Sequence, residues 1–156
     1  AQNKEIKMNE KELVELLVED LSREVYHMMF YLNAASKVEG LHREELREFF
    51  MKEAHEEMGH VNEFSDMISY LGSLPDVMNC HINWTFGNDP YDILKEIVRM
   101  EQEVANKYAT RLQQTEPPHN DVYNPSIATL HVFYEDQIKN SQMTSWEVKK
   151  WLNKFS

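Results

Sequence analysis

Four long segments of this chain repeat their apolar residues every three or four positions, and that rhythm leaves few folds open. The first runs from about Asn9 to Val38, with Leu17, Leu21, Glu24, Met28, Tyr31 and Ala35 along one stripe. Asn9 followed by Glu12 reads as a helix-capping pair, and Gly40 closes the segment. The second runs from about His42 to Leu71, carries Phe50, Glu53, Glu57, His60, Phe64, Met67 and Leu71, and stops at Gly72 and Pro75. The third opens at Asp89-Pro90, a cap followed by a first-turn proline, and carries Leu94, Val98, Glu101, Ala105, Tyr108 and Leu112 to the break at Pro117-Pro118. The fourth opens at Asn124-Pro125 and carries Ile127, Leu130, Tyr134, Gln137, Ser141, Thr144 and Val148.

The connections decide how four such helices are arranged. Short turns near residue 40 and near 117–124 make each flanking pair antiparallel neighbours. The middle connection, Gly72 to Asn88, is long, contains Pro75 and Gly87, and shows no clear period. A helix of about 28 residues is about 42 Å long, and about 17 extended residues reach about 55 Å. That is enough to travel the whole bundle. The expectation is an all-α four-helix bundle of two antiparallel hairpins joined by one long crossover, with no fifth helix, forming a single domain over residues 1–156.

Composition removes several partners. With 16 Lys and Arg against 27 Asp and Glu, the net charge is −11, so a nucleic acid or an anionic membrane is not expected as a partner. No stretch is long and apolar enough to span a bilayer, and the opening AQNKEIKMNE lacks the apolar run of a secretory leader. Cys80 is the only cysteine, which points to a reducing, cytoplasmic compartment.

Each stripe is interrupted near mid-helix by a residue that belongs in water or on a metal. These are Glu24 and Tyr31, then Glu57 and His60 in an E-x-x-H pair, then Glu101, then Gln137. An unpaired carboxylate costs several kcal/mol to bury, and no Lys or Arg stands on these stripes to offset three of them. Two divalent ions would. Oxygen-rich coordination with one imidazole suits iron or manganese better than structural zinc.

At these residues the chain resembles the non-haem ferritins over nearly its whole length. Glu24-Val25-Tyr26-His27-Met28-Met29-Phe30-Tyr31 is similar to their first-helix pattern, and His55-Glu56-Glu57-Met58-Gly59-His60 to their second-helix motif. Glu101 and the Asp136-Gln137-Ile138-Lys139 segment fall where the third and fourth helices contribute. The resemblance implies a first iron held by Glu24, Glu57 and His60. It implies a second held by the bridging Glu57 and Glu101, with Glu56 and Gln137 assisting. Tyr31 would hydrogen-bond to the ligand set and donate an electron. The implied activity is ferroxidation of Fe²⁺ by dioxygen, with storage of the ferric product in a homo-oligomeric cage of 24 subunits, or of 12. The implied alternatives are a DNA-protecting mini-ferritin shell and a rubrerythrin-like di-iron peroxidase.

The chain also departs from the pattern. Lys139 and Asn140 stand where a third iron site would draw acids, and Ile127 and Leu130 where acids line the three-fold channel. Met58 stands where bacterioferritins place a haem-ligating methionine, but haem is not expected. His27, His42, His55, His81, His119 and His131 are read as surface groups or as groups behind the ligands, and Cys80-His81 as loop residues. The Arg43 to Glu48 charge run reads as a solvated face.

Overall fold

Asn9 starts the first helix as its spacing from Glu12 predicts. Its side chain accepts the Glu12 amide at 2.9 Å, and the Glu12 carboxylate accepts the Asn9 amide at 3.3 Å. The computed structural model describes residues 9–76, 80–116 and 124–155. Among them are four helices, α1 (Glu10–Lys37), α2 (Arg43–Tyr70), α3 (Pro90–Gln114) and α4 (Pro125–Asn153). Asp89 caps α3 by accepting the Tyr91 amide at 2.8 Å, and Asn124 caps α4 by accepting the Ser126 amide at 3.0 Å. A proline follows each cap, where no amide hydrogen is needed. Past α2, the Gly72 amide donates to the Ser69 carbonyl and the Ser73 amide to Ile68. This closure needs a left-handed residue, and Gly72 supplies it at φ +85°.

The helices pair as α1 with α2 and α3 with α4. Two apolar cores fill the bundle, one toward each end. One holds Phe30, Ala34, Leu46, Phe50, Ile93, Leu94, Ile97 and Val148. The other holds Leu13, Leu17, Leu21, Phe64, Ile68, Val104 and Leu130. Each fully buried Leu, Ile or Phe contributes roughly 1.5–3 kcal/mol. The chain order through the cores makes α1 antiparallel to α2 and α3, and parallel to α4. The crossover therefore runs the length of the bundle, from the end of α2 to the start of α3.

That crossover does have a period, but it is two rather than 3.6. Ile82, Trp84 and Phe86 pack on the first core while His81, Asn83, Thr85 and Gly87 are exposed. Trp84 and Phe86 lie 4.9 and 5.3 Å from Phe30, ring centroid to centroid. The Trp84 indole donates to the Gly87 carbonyl at 2.8 Å. Asn88 ties the end of the strap to the α1–α2 turn, accepting the Glu39 amide at 3.0 Å. Most of the predicted turn near 117–124 lies outside the described residues.

Candidate metal centre

Between the two apolar cores, at the middle of the bundle, the interior is polar. Glu24, His27, Glu57 and Glu101 are 2, 3, 4 and 1% exposed. The ligand atoms of Glu24, Glu57 and His60 lie within 4.8 Å of one another, and so do those of His27, Glu57 and Glu101. Glu57 belongs to both groups. The His60 ring Nδ1 is 3.3 Å from Glu57 Oε2 and 3.6 Å from Glu24 Oε2, while His27 Nδ1 is 3.5 Å from Glu101 Oε1.

His27 is buried, which excludes the surface half of its sequence reading and leaves it beside the ligand set. From Glu24 the first stripe was followed to Met28 and then Tyr31, steps of four and three. The step of three and then four is equally helical, and the structure uses it: His27 is buried and Met28 only partly so. The signal was present as a second E-x-x-H, Glu24-Val25-Tyr26-His27.

Two tyrosines hold the outer carboxylates in a crossed arrangement. Tyr31, on α1, donates its hydroxyl to Glu101 Oε1 at 2.8 Å. Tyr108, on α3, donates to Glu24 Oε1. Each tyrosine lies seven residues after the glutamate on its own helix and bonds the glutamate of the other. Tyr108 was read from sequence only as a stripe residue. Burial together with the adjacent carboxylates raises both phenols well above the usual range, so both remain neutral donors.

Charge is shared unevenly. Burial alone would raise Glu24, but hydrogen bonds from the Glu57 carboxyl and His60, and the charge of both imidazoles, lower it to about 2. Burial and the neighbouring Glu24 raise Glu57 well above the carboxylate range. Burial would lower His60, but its bonds to Glu24 and Glu57 raise it to about 11. Burial would lower His27, but its bond to Glu101 and the charges of Glu101 and Glu24 together raise it. The metal-free cluster therefore holds itself together with protons. No Lys or Arg among the described residues pairs with Glu24, Glu57 or Glu101. Three carboxylates and two imidazoles in two overlapping groups fit a pair of divalent cations, four positive charges against three negative.

Glu56 belongs to neither group of close ligand atoms. Gln137 is buried, but its amide donates to Glu63 at 2.9 Å. Glu56 is exposed and faces a cleft of about 440 Å³ between α2 and α4, also lined by Glu53, Glu63, Asn140 and Glu147. His60 reaches the floor of that cleft, its side chain 17% exposed. Glu53, read only as a stripe residue, is buried there, and burial with the charges of Glu56 and Glu101 raises it to about 7. Thr144 donates to it at 3.3 Å.

One arginine, off the four stripes, is buried in the interior. Arg111 donates to Asp20 at 2.9 and 3.1 Å, and Tyr134 donates to the same carboxylate at 2.6 Å. This network was not read from sequence. It neutralises Asp20, one turn before Glu24, and does not reach the cluster. Of the other histidines, His55 and His81 are exposed, His131 bonds Thr115 at 3.1 Å, and His119 lies outside the described residues.

A four-helix bundle with a long crossover and a buried carboxylate–imidazole centre defines an α-helical metal-binding class of protein. The chain belongs to the ferritin-like domain family, whose sequence profile matches residues 14–156. Among solved structures it is similar to one described as ferritin-like, diiron-carboxylate proteins from Bacillus anthracis str. Ames. That likeness has a TM-score of 0.78 and 28% identity, covering 93% of this chain and 99% of the other. It also shares the fold of a dodecameric thioferritin, a bacterioferritin-related protein from Bacteroides fragilis. Here the TM-score is 0.81 at 21% identity, covering 96% and 89% of the two chains. No curated protein matches the chain significantly. No helix among the described residues is long and apolar enough to cross a membrane.

Proposed function

We propose that this chain is an iron-oxidising and iron-storing subunit, a single domain that binds two Fe²⁺ ions at the central cluster and assembles with copies of itself into a cytoplasmic shell. The observation that carries the reading is the pair of buried groups that share Glu57 and, among the described residues, pair with no Lys or Arg. Glu24, Glu57 and His60 would hold one ion, and Glu57 with Glu101 the other.

The substrate is ferrous iron, and each of two Fe²⁺ ions gives one electron to dioxygen, which with two protons leaves as hydrogen peroxide. The chain sets the terms of that exchange. Anionic oxygens stabilise Fe³⁺ over Fe²⁺ and so favour the oxidation. Tyr31 and Tyr108 fix the two outer carboxylates, which limits the reorganisation the site must undergo. Glu57 and His60 hold protons in the metal-free state that iron must displace. The two apolar cores keep water from both ends of the cluster, and the acidic cleft at His60 gives cations a route from the surface.

Two assemblies are carried forward. A cage of 24 copies is the first reading, and the fold shared with a dodecameric protein supports a shell of 12. The test is anaerobic addition of Fe²⁺ followed by oxygen. The reading expects two ions bound per chain and a rapid rise in ferric absorbance, which Glu57→Gln abolishes while the helix content is kept. Oxidation by Glu57→Gln at the wild-type rate would refute the assignment. Native mass spectrometry distinguishes 12 copies from 24.

A further inference from the structure

The two halves of the centre are related by an approximate two-fold exchange of α1 with α3 and α2 with α4. Glu24 exchanges with Glu101 and Tyr31 with Tyr108, and the tyrosine bonds confirm the relation by crossing between the helices. On the other pair, Glu57 exchanges with Gln137 and His60 with Asn140. The exchange fails here, because α4 offers an amide where α2 offers an imidazole. Both α4 side chains have partners outside the second group. Gln137 donates to Glu63, and the Asn140 amide lies 3.4 Å from His60 Nε2, behind the ring that faces Glu24 and Glu57.

α1 instead brings an imidazole to the second group. His27 is nine-tenths and more buried, and its Nδ1 faces Glu101. Its ligand atoms close with those of Glu57 and Glu101 to the same 4.8 Å as the His60 group. We infer that His27 is the second metal's imidazole ligand, so that both metals have the same donors: one histidine, one tyrosine-anchored glutamate and the shared Glu57. This rests on the metal-binding reading above and deepens it. The consequence is functional. A second site without nitrogen would hold its metal less firmly than the first, whereas matched sites retain both. Both ferrous ions are then held together when oxygen arrives.

The rival explanation is that His27 serves only as a counter-charge to Glu101. Co²⁺ distinguishes them, because its visible bands report the number of ions bound and the nitrogen and oxygen donors around each. Anaerobic Co²⁺ titrations would be run on the wild type, His27→Gln, His27→Ala and Gln137→Ala, with helix content and unfolding of each metal-free variant measured in parallel. The inference expects two ions of comparable affinity in the wild type. It expects one tight ion in folded His27→Gln, with the second weakened beyond the about 10–100-fold cost of losing an outer partner. Gln137→Ala should keep both. In proton NMR of the Co²⁺ form, two shifted imidazole N–H signals should fall to one in His27→Gln.

Two ions of unchanged affinity in folded His27→Gln or His27→Ala would overturn the inference and leave the metal-binding reading standing. Loss of the second ion in Gln137→Ala, with His27→Gln unaffected, would overturn it too. Fewer than two ions in the wild type would instead remove the metal-binding reading, and this inference with it.

Discussion

Glu57→Gln is expected to stabilise the metal-free protein while removing the stabilisation that metal provides. Glu57 is buried between Glu24 and the second group, and burial with the Glu24 charge raises it well above its ordinary value of 4.5. The folded state therefore takes up a proton at Glu57 that the unfolded chain has released, at a cost of about 1.4 kcal/mol for each unit by which the pH exceeds 4.5, up to that raised value. Glutamine has the same shape and needs no proton, and its amide can still donate to Glu24. At about 2–4 °C per kcal/mol for a chain of this size, the melting temperature in chelator should rise by roughly 3–6 °C for each such unit.

The sign with pH follows from proton counting. Between 4.5 and the raised value the folded state binds the proton that the unfolded state has released. Stability from this group therefore increases as pH falls through that window. The gap between Glu57→Gln and the wild type should narrow by about 1.4 kcal/mol per unit as pH falls through that window. Metal reverses the order. At a hundred times its dissociation constant a metal adds about 2.7 kcal/mol for each site, which only the wild type gains in full. Thermal unfolding followed by circular dichroism, with chelator or with Co²⁺, measures all of this. A metal-free variant that melts below the wild type, or a gap unchanged between pH 5 and 7, would refute the reasoning.

Asp20→Ala should cost about 3–5 kcal/mol in urea unfolding, because it leaves Arg111 buried without its partner, and metal stoichiometry should be unchanged. Tyr108→Phe removes the hydroxyl that anchors Glu24 and should weaken the first metal by about 10–100-fold in a Co²⁺ titration, with Tyr31→Phe doing the same to the second. Trp84→Ala detaches the crossover from Phe30 and should cost about 2 kcal/mol, below the usual 3–5 because Trp84 is only half-buried, without altering metal binding.

The helices and their order were legible because capping residues, prolines and a 3.6 period mark them independently; Asn9, Asp89-Pro90 and Asn124-Pro125 all sit at helix starts. The crossover was legible by its length. Its packing was missed because the alternation Ile82, Trp84, Phe86 has the period of a strand. At the centre, Glu24, Glu57, His60 and Glu101 stood out as polar residues on apolar stripes, and the structure brings all four together.

His27 did not stand out, because one helical turn allows a step of three or four and Met28 satisfied the apolar pattern. Gln137 lies on the right stripe, but the stripe does not say that Glu63 would hold its amide. Asp20 and Arg111 are 91 residues apart, and a pairing at that distance is set by which faces meet, which no local period records.

Crystals soaked anaerobically with ferrous salt, measured on both sides of the iron absorption edge, test the proposed account at its root. It predicts two anomalous peaks per chain, with Glu57 touching both and Glu24, His60 and Glu101 around them. Density confined to the acidic cleft or the outer surface, with the central carboxyls still bonded only to each other, to tyrosines and to imidazoles, would contradict it.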